Sequence, residues 1–324
     1  MNRIIPQFIA LLLAAPAGAA PEAEPALDPR AIEAASYDGG DLPEGQSALT
    51  MKLQILLDRA GISPGVIDGY EGGMTRSALR AFEERAGFEV DGAIDAQVWD
   101  ALGGPSAEGL TREHEITDEE ARVRGAPLPE DYVRLAELEA MSFTSVAEKL
   151  AERFHMDEEV LRAMNPGADF EAGEIVVVVV PGPEIEGSVA RIEVRKEAGR
   201  LAAFDASGAM IANYPVGIGS DENPSPSGTH EVLAVAIEPT YTYDPDVNFQ
   251  QGDNDEALIL PPGPNGPVGL VWIDLSEPTY GIHGTAEPAK LFVRASHGCV
   301  RMTNWDAMEL AGMVDQGAPV EFVR

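Results

Sequence analysis

The spacing of hydrophobic residues changes along this chain, and that change limits the possible folds more than any other feature of the sequence. Between residues 47 and 102 apolar side chains recur every three or four positions, which indicates helices. Helical spacing returns between residues 142 and 164, and the β-branched run 175–180 that follows is typical of a buried strand. After residue 184, short apolar runs separated by Gly and Pro predict antiparallel strands. The 324 residues are therefore expected to form a multidomain protein with two small units and a larger, mainly-β domain.

Turn and capping residues divide the first helical stretch into three helices. Thr75 is placed to cap a helix over residues 76–86, and Asp95 a helix over residues 96–102. We expect a three-helix unit at residues 47–103, preceded by a linker at 21–46 that is rich in Ala, Pro and Glu.

The middle of the chain predicts a small α+β unit at residues 131–182. Two amphipathic helices are expected between residues 142 and 167, where Asn165-Pro166-Gly167 ends the second. The acidic, polar interval 104–130 is expected to be a linker.

The first residues have the composition of a secretory signal. Asn2 and Arg3 precede an apolar run at 4–15, and Ala17-Gly18-Ala19 supplies the small residues that a signal peptidase accepts. The run is shorter than the roughly 20 apolar residues that span a bilayer. We expect residues 1–20 to be a cleaved signal peptide, which leaves no membrane span in the mature form. An uncleaved anchor is the alternative.

Acidic residues outnumber basic ones, with 55 Asp and Glu against 22 Lys and Arg. Nucleic acid is not expected as a partner, because phosphate contacts need clustered Lys and Arg. The negative charge indicates a solubilising surface. The oligomeric state stays open.

Cys299 is the only cysteine of the chain, so no internal disulfide can form. Its thiol is either a small buried apolar group or a reactive one, and the neighbouring residues indicate which. A thiol of pKa about 8.5 is only slightly ionised at neutral pH, so a catalytic cysteine needs a nearby base or positive charge. Cys299 lies in Ser296-His297-Gly298-Cys299-Val300-Arg301, and Tyr280-Gly281-Ile282-His283-Gly284-Thr285 precedes that stretch by a short loop.

Two neighbours of Cys299 suit catalysis. Gly298 lets the backbone turn tightly and expose N–H groups, above all that of Cys299, to a developing oxyanion. Arg301 suits a substrate carboxylate, because its planar guanidinium pairs with one bidentately.

Zinc binding is the alternative use of these side chains. His283, His297 and Cys299 are residue types that bind this metal. No fourth ligand is evident in the sequence, and we expect no metal and no organic cofactor.

The paired stretches resemble the L,D-transpeptidase (YkuD-type) catalytic domain, which is marked by His-Gly-Thr, then Ser-His-Gly-Cys with an Arg two positions on. Residues 214–219, 224–229 and 264–269 match further blocks of that family. The resemblance implies a mainly-β, β-sandwich catalytic domain at residues 184–324.

The same resemblance assigns roles to individual residues. Cys299 is the expected nucleophile and His283 its base, with the backbone carbonyl of Gly284 holding the imidazole ring. Supporting residues are Ser296, His297, Gly298 and Arg301, and Tyr280 joins Arg301 in substrate binding. Phe292 departs from the family pattern, which has a Gly near this place, and we expect its ring to narrow or reshape the mouth of the cleft.

The two smaller units also resemble known modules. Leu53-Gln54, Asp68-Gly69 and Trp99 resemble the three-helix peptidoglycan-binding domain, although Glu83 stands where that family usually has Gln. Residues 161–167 and the closing Val180-Pro181 resemble a degenerate LysM module, whose first strand is expected around 132–141.

These resemblances imply a periplasmic, cell-wall-associated enzyme with peptidoglycan as its partner. It would form 3-3 cross-links between tetrapeptide stems through a thioacyl intermediate at Cys299, and so contribute to cell shape. Alternatives with the same fold are an L,D-carboxypeptidase, a D-amino-acid exchange enzyme and a transferase that attaches lipoproteins. A non-catalytic peptidoglycan-binding protein is the alternative from another class.

Overall fold

The computed structural model describes residues 27–220, 222–247, 250–293, 296 and 298–324. The predicted signal peptide at residues 1–20 lies outside the described residues, and so does His297. Within the described part of the chain, no helix has the length and apolar character that a membrane span requires.

The first unit is helical, as predicted. Its helices are α1 (Pro29–Ala34), α2 (Ala48–Arg59), α3 (Gly73–Ala86) and α4 (Ala96–Ala101). Asp95 caps α4 by accepting a hydrogen bond from the Val98 N–H, in agreement with the sequence pattern. Helix α1 lies in the interval 21–46 that we predicted to be a linker. Asp28 caps it and Ile32 is fully buried, so the interval belongs to the folded unit from residue 27 onward.

The cap predicted at Thr75 is wrong. Helix α3 has Gly72 as its N-cap, and Thr75 lies buried inside the helix. The Thr75 hydroxyl donates to the carbonyl of Tyr70 and accepts from Nε2 of Gln54, both at 3.1 Å. These tertiary contacts outweigh the local preference of Thr for a cap position.

The middle unit contains a two-stranded antiparallel sheet. Its elements are β1 (Thr111–Glu115), α5 (Tyr132–Ala136), α6 (Val146–Arg153), α7 (Glu158–Met164) and β2 (Ile175–Val179). Strand β1 falls in the interval predicted to be a linker, because its residues Thr-Arg-Glu-His-Glu show no hydrophobic alternation. Helix α5 occupies the region where the first strand was expected.

The first and middle units share one hydrophobic core. Ile67 forms a parallel bridge with Met156, and its N–H donates to the carbonyl of His155 at 2.7 Å. Buried side chains of α2, α6 and β2 belong to one cluster, including Leu53, Leu150 and Val178. The two units are therefore packed together, and the interval 104–130 is not a flexible linker.

The C-terminal domain is mainly β, as predicted. Its elements are β3 (Arg191–Arg195), β4 (Arg200–Phe204), β5 (Met210–Pro215), β6 (Gly228–Ile237), β7 (Tyr241–Tyr243), β8 (Leu258–Leu260), β9 (Val271–Leu275), β10 (Gly281–His283), β11 (Val300–Arg301), α8 (Asn304–Met313) and β12 (Pro319–Val323). Eight strands form one sheet in the order β11-β10-β9-β6-β12-β3-β4-β5, and β7 pairs with β8. Two pairs, β10 with β11 and β12 with β3, are parallel, whereas the sequence predicted antiparallel strands.

Candidate active site

Three adjacent strands position the motif residues. Strand β10 lies between β9 and β11, and its register sets His283 opposite Arg301 on one side and Trp272 on the other. Cys299 directly precedes β11. The parallel pairing of β10 with β11 therefore brings the cysteine beside the strand that ends in His283.

Cys299, His283, Ser296 and Arg301 line one cavity of about 530 Å³. The structure thus brings together four of the site residues predicted from sequence. Part of the lining is apolar and aromatic, and its residues come from the middle unit and from β7: Tyr132, Leu135, Met141 and Tyr241.

His283 is buried and its ring orientation is fixed. Its Nδ1 lies 2.7 Å from the carbonyl oxygen of Gly284, the contact expected from the sequence. A carbonyl only accepts, so Nδ1 carries the proton and Nε2 of the neutral ring is free to act as a base. The Trp272 ring stacks on the imidazole with 5.7 Å between centroids.

Burial lowers the pKa of His283 to about 4, and the positive charge of Arg301 also lowers it. Burial likewise raises the pKa of Cys299, although a hydrogen bond from the backbone of Gly281 opposes this shift. At neutral pH the pair is therefore a thiol and a neutral imidazole, not a thiolate and an imidazolium.

The backbone carries strain at Thr279, which lies beside the Cys299 thiol. The Cys299 thiol lies 3.8 Å from the carbonyl oxygen of Thr279, and Thr279 has a φ of 71°. A β-branched residue rarely adopts this left-handed conformation, which costs of order 1–3 kcal/mol and persists only where the surroundings enforce it.

The loop that carries Cys299 is held by side-chain hydrogen bonds. The Ser296 hydroxyl donates to the carbonyl of Cys299 at 2.5 Å and accepts from the Gly298 N–H at 3.1 Å. The Ser225 hydroxyl donates to the Gly298 carbonyl at 2.7 Å. Ser296 thus shapes the loop, and the Cys299 N–H stays the predicted oxyanion donor.

Gly298 is required at its position for two reasons. Its φ is +118°, and a Cβ built on it would stand 2.5 Å from Cε1 of Tyr280. Tyr280 therefore packs against the nucleophile loop and is not among the described residues that line the cavity. Its predicted part in substrate binding stays a prediction.

Arg301 is held between β10 and a segment that follows β5. Its N–H and carbonyl exchange hydrogen bonds with Gly217 at 2.8 and 2.9 Å. A Cβ on Gly217 would approach the guanidinium to 3.2 Å, so the glycine leaves room for the Arg301 side chain.

Phe292 does not narrow the cleft as we expected. Its ring packs near Gly199 and Gly73, and it lines a separate groove with Lys196 and Val216. The loop between the two motifs directs this side chain towards the first unit, away from the cavity of Cys299.

The structure does not test the zinc alternative, because one of its three ligands, His297, lies outside the described residues. Within the described part of the chain, no group of three or more His, Cys, Asp or Glu is arranged to hold a metal ion.

Several site residues escaped the sequence patterns. The sequence patterns gave no site role to Trp272, Asn304 or Met141. They lie on elements remote in sequence from one another, so only the fold brings them together. Of these residues, Asn304 alone follows a local sequence signal, because Thr303 directly before it caps α8.

Comparison with protein families matches residues 189–322 to the L,D-transpeptidase catalytic domain and residues 46–102 to a putative peptidoglycan binding domain. The putative L,D-transpeptidase YkuD of Bacillus licheniformis is 29% identical over 177 residues, which cover 53% of this chain and 90% of that protein. The probable L,D-transpeptidase YbiS of Escherichia coli is 27% identical over 212 residues, or 61% of this chain and 68% of that protein. A solved L,D-transpeptidase from Mycobacterium smegmatis is 18% identical, with a TM-score of 0.34 over 46% of this chain and 66% of its own.

Proposed function

The chain contains a YkuD-type L,D-transpeptidase catalytic domain and an N-terminal peptidoglycan-binding domain, and we propose that it cross-links peptidoglycan through a thioacyl enzyme at Cys299. One observation carries the proposal. Cys299 and His283 line the same cavity, and the Gly284 carbonyl holds His283 in the tautomer whose Nε2 accepts a proton.

Acylation is the first half of the proposed reaction. The Cys299 sulfur attacks the carbonyl carbon of the third residue of a tetrapeptide stem, a diamino acid, while the thiol proton passes to Nε2 of His283. The amide bond to the terminal D-alanine then breaks, and D-alanine leaves with the proton from His283. A thioester between Cys299 and the tripeptide stem remains.

Transfer is the second half. The side-chain amine of a neighbouring stem loses a proton to His283 and attacks the thioester carbonyl. The Cys299 sulfur leaves and recovers that proton, which gives a 3-3 cross-link and the free enzyme. Because D-alanine departs before the acceptor amine reacts, we expect ping-pong kinetics.

The Cys299 thiol and the His283 imidazole both start neutral, and this determines when the proton is transferred. Since burial disfavours the thiolate and the imidazolium alike, proton transfer accompanies the attack of sulfur on the carbonyl. The negative charge then develops on the substrate oxygen, where the Cys299 N–H would stabilise it. Arg301, at the cavity wall, is the proposed partner of a substrate carboxylate.

We place the mature protein in the periplasm, attached to the wall through its helical unit. This proposal rests on the signal composition of residues 1–20 and on the match of residues 46–102 to the peptidoglycan-binding family. The middle unit keeps its proposed LysM-like role in glycan binding.

Mass spectrometry of muropeptides incubated with the mature protein tests the proposal. Disaccharide tetrapeptide should give a dimer whose mass equals two monomers minus one alanine, and Cys299→Ala protein should give none. A tripeptide monomer would indicate water as acceptor, and exchange of the terminal residue would indicate a free D-amino acid. Dimer formation by the Cys299→Ala protein would contradict the nucleophile assignment. No product from the wild-type protein would favour the non-catalytic alternative.

A further inference from the structure

The buried side chain of Asn304 lies directly behind the peptide that orients His283. Asn304 is the first residue of α8 and is fully buried. Its Oδ1 accepts from the Leu270 N–H at 3.1 Å. A Cβ built on Gly284 would stand 2.1 Å from the same oxygen, so Asn304 fills the space that a side chain at Gly284 would need.

The other end of the Asn304 amide points to the middle unit. Its Nδ2 lies 3.0 and 3.1 Å from the two carboxyl oxygens of Glu152 in α6, and it also donates to the carbonyl of Pro264 at 3.1 Å. One buried amide therefore hydrogen-bonds to the middle unit and to the loop before β9, and its Oδ1 lies against Gly284.

Glu152 serves this contact as a neutral group. Burial raises its pKa to about 8, and the nearby Glu148 carboxylate raises it further, against the opposing effects of Asn304 and His155. A protonated carboxyl offers one carbonyl oxygen to Asn304. The side-chain amide of Gln offers the same acceptor with nearly the same shape.

The middle unit also holds one wall of the cavity. The Met141 N–H donates to the Pro262 carbonyl at 2.8 Å, and the Met141 carbonyl accepts from the Asn265 N–H at 3.1 Å. The Asn265 side chain donates to Glu148 at 2.6 Å. Asn265 lines the cavity of Cys299, so α6 and the segment before it position the cavity wall as well as Asn304.

We infer that Asn304, held by Glu152 of the middle unit, is a positioning residue that fixes the Gly284 carbonyl and thereby the tautomer and orientation of His283. The middle unit then acts on the base through Glu152 of α6, in addition to any role in wall binding. This inference rests on the proposed function, because it concerns the base of that reaction.

The first test measures acylation of the full mature chain by a carbapenem, with rate constant and inhibition constant determined separately. We expect Glu152→Ala to lower the acylation rate constant by about 10- to 100-fold, the range that misplacement of a reacting group costs. The inhibition constant should change by less than about twofold, since cavity lining is retained. Glu152→Gln should restore the rate to within about twofold of the wild type.

Glu158→Ala is the matched control. Glu158 begins α7 of the same unit and pairs with Arg162 and Ser145 inside that unit. Its removal should leave the rate unchanged. Equal rates for wild-type and Glu152→Ala protein would overturn the inference.

The second test reads the tautomer of His283 without reference to activity. Ring nitrogen chemical shifts resolve the five histidines of the chain, and the signal lost in His283→Gln identifies His283. We expect the Nδ1–H form alone in the wild type and a measurable Nε2–H population in Asn304→Ala and Glu152→Ala. An unchanged tautomer in a folded Glu152→Ala protein would contradict the positioning role. A wild-type chain that shows the expected tautomer but no acylation would instead contradict the proposed function.

Discussion

At the scale of single residues, Cys299 and His283 differ from the ion pair that activates many catalytic cysteines. Burial raises the pKa of the thiol and lowers that of the imidazole, so the proton stays on sulfur in the resting site. This arrangement protects the thiol from oxidation and from unspecific alkylation, since the thiolate is the reactive form. In the proposed reaction, the substrate carbonyl is in place before the proton moves.

The pH dependence of acylation follows from the same shifts. In the proposed reaction His283 acts as a base only when neutral, and with a pKa of about 4 it stays neutral until the pH falls through that value. We expect the second-order rate constant for carbapenem acylation to be nearly constant from pH 7 to pH 5. Below about pH 4 it should fall about tenfold per pH unit.

Stopped-flow measurement of the acylation rate across this range, with circular dichroism to confirm the fold at each pH, checks the prediction. A free histidine has a pKa of about 6.5. A rate that is already halved near pH 6.5 would show that burial does not depress the pKa of His283.

The site could be predicted from sequence only where its residues lie close together in the chain. His283, Gly284, Ser296, Gly298, Cys299 and Arg301 belong to two short stretches with a strong pattern. Glu152 lies 152 positions before Asn304, and no local spacing links the two. Phe292 failed as a prediction for a related reason, because neighbouring units decided where its ring points.

At the scale of elements, the spacing of hydrophobic residues predicted the helices and strands whose own side chains form the core. The helices α2, α6 and α7 and the last strand, β12, each carry a buried apolar face. Strand β1 and helix α1 carry few apolar residues and were assigned to linkers. They are ordered by hydrogen bonds to partners elsewhere in the chain, which a local pattern does not reveal.

Glu33 of α1 tests that explanation. Its Oε1 accepts from the N–H groups of Leu110 and Thr111 at 2.6 and 2.8 Å, where β1 begins. Glu33→Ala leaves these backbone donors without this acceptor, which should lower the free energy of unfolding by about 1–3 kcal/mol. Urea unfolding of the two proteins measures the difference.

Glu44→Ala is the control, because Glu44 is an exposed glutamate of the same interval. It should change the free energy of unfolding by less than about 0.5 kcal/mol. If Glu33→Ala changes the free energy of unfolding as little as Glu44→Ala does, Glu33 does not anchor α1 to β1. The linker that we first predicted would then be the better description.

At the scale of the whole molecule, the three units meet at a buried cluster of ionisable groups. His155 of the middle unit pairs with Asp58 of the first unit at 3.0 Å and stacks on Trp305 of α8. Ser63 of the first unit donates to Asp306 of α8 at 2.9 Å. These contacts join the first unit to the C-terminal domain, so removal of residues 46–102 would expose buried surface on both remaining parts.

The protonation state of this cluster should govern the stability of the protein against pH. Burial raises the pKa of Asp306 to about 7, against its value of about 4 in an unfolded chain. The folded form then holds a proton that the unfolded form releases between about pH 4 and pH 7. The contribution of Asp306 to the free energy of unfolding is therefore present at pH 4 and is lost as the pH rises through 7. The raised pKa values of His155 and Glu152 act in the same direction.

We expect the free energy of unfolding of the wild-type chain to fall between pH 5 and pH 8, and Asp306→Asn to reduce that fall by about 2 kcal/mol. Asn keeps an oxygen that can accept from Ser63 and has no proton to lose. Asp100→Asn, a change at an exposed position of α4, is the control and should leave the pH dependence as it is. If the free energy of unfolding of the wild-type and Asp306→Asn proteins depends on pH in the same way, Asp306 is already ionised at pH 5. His155 would then have to balance its charge at the junction of the three units.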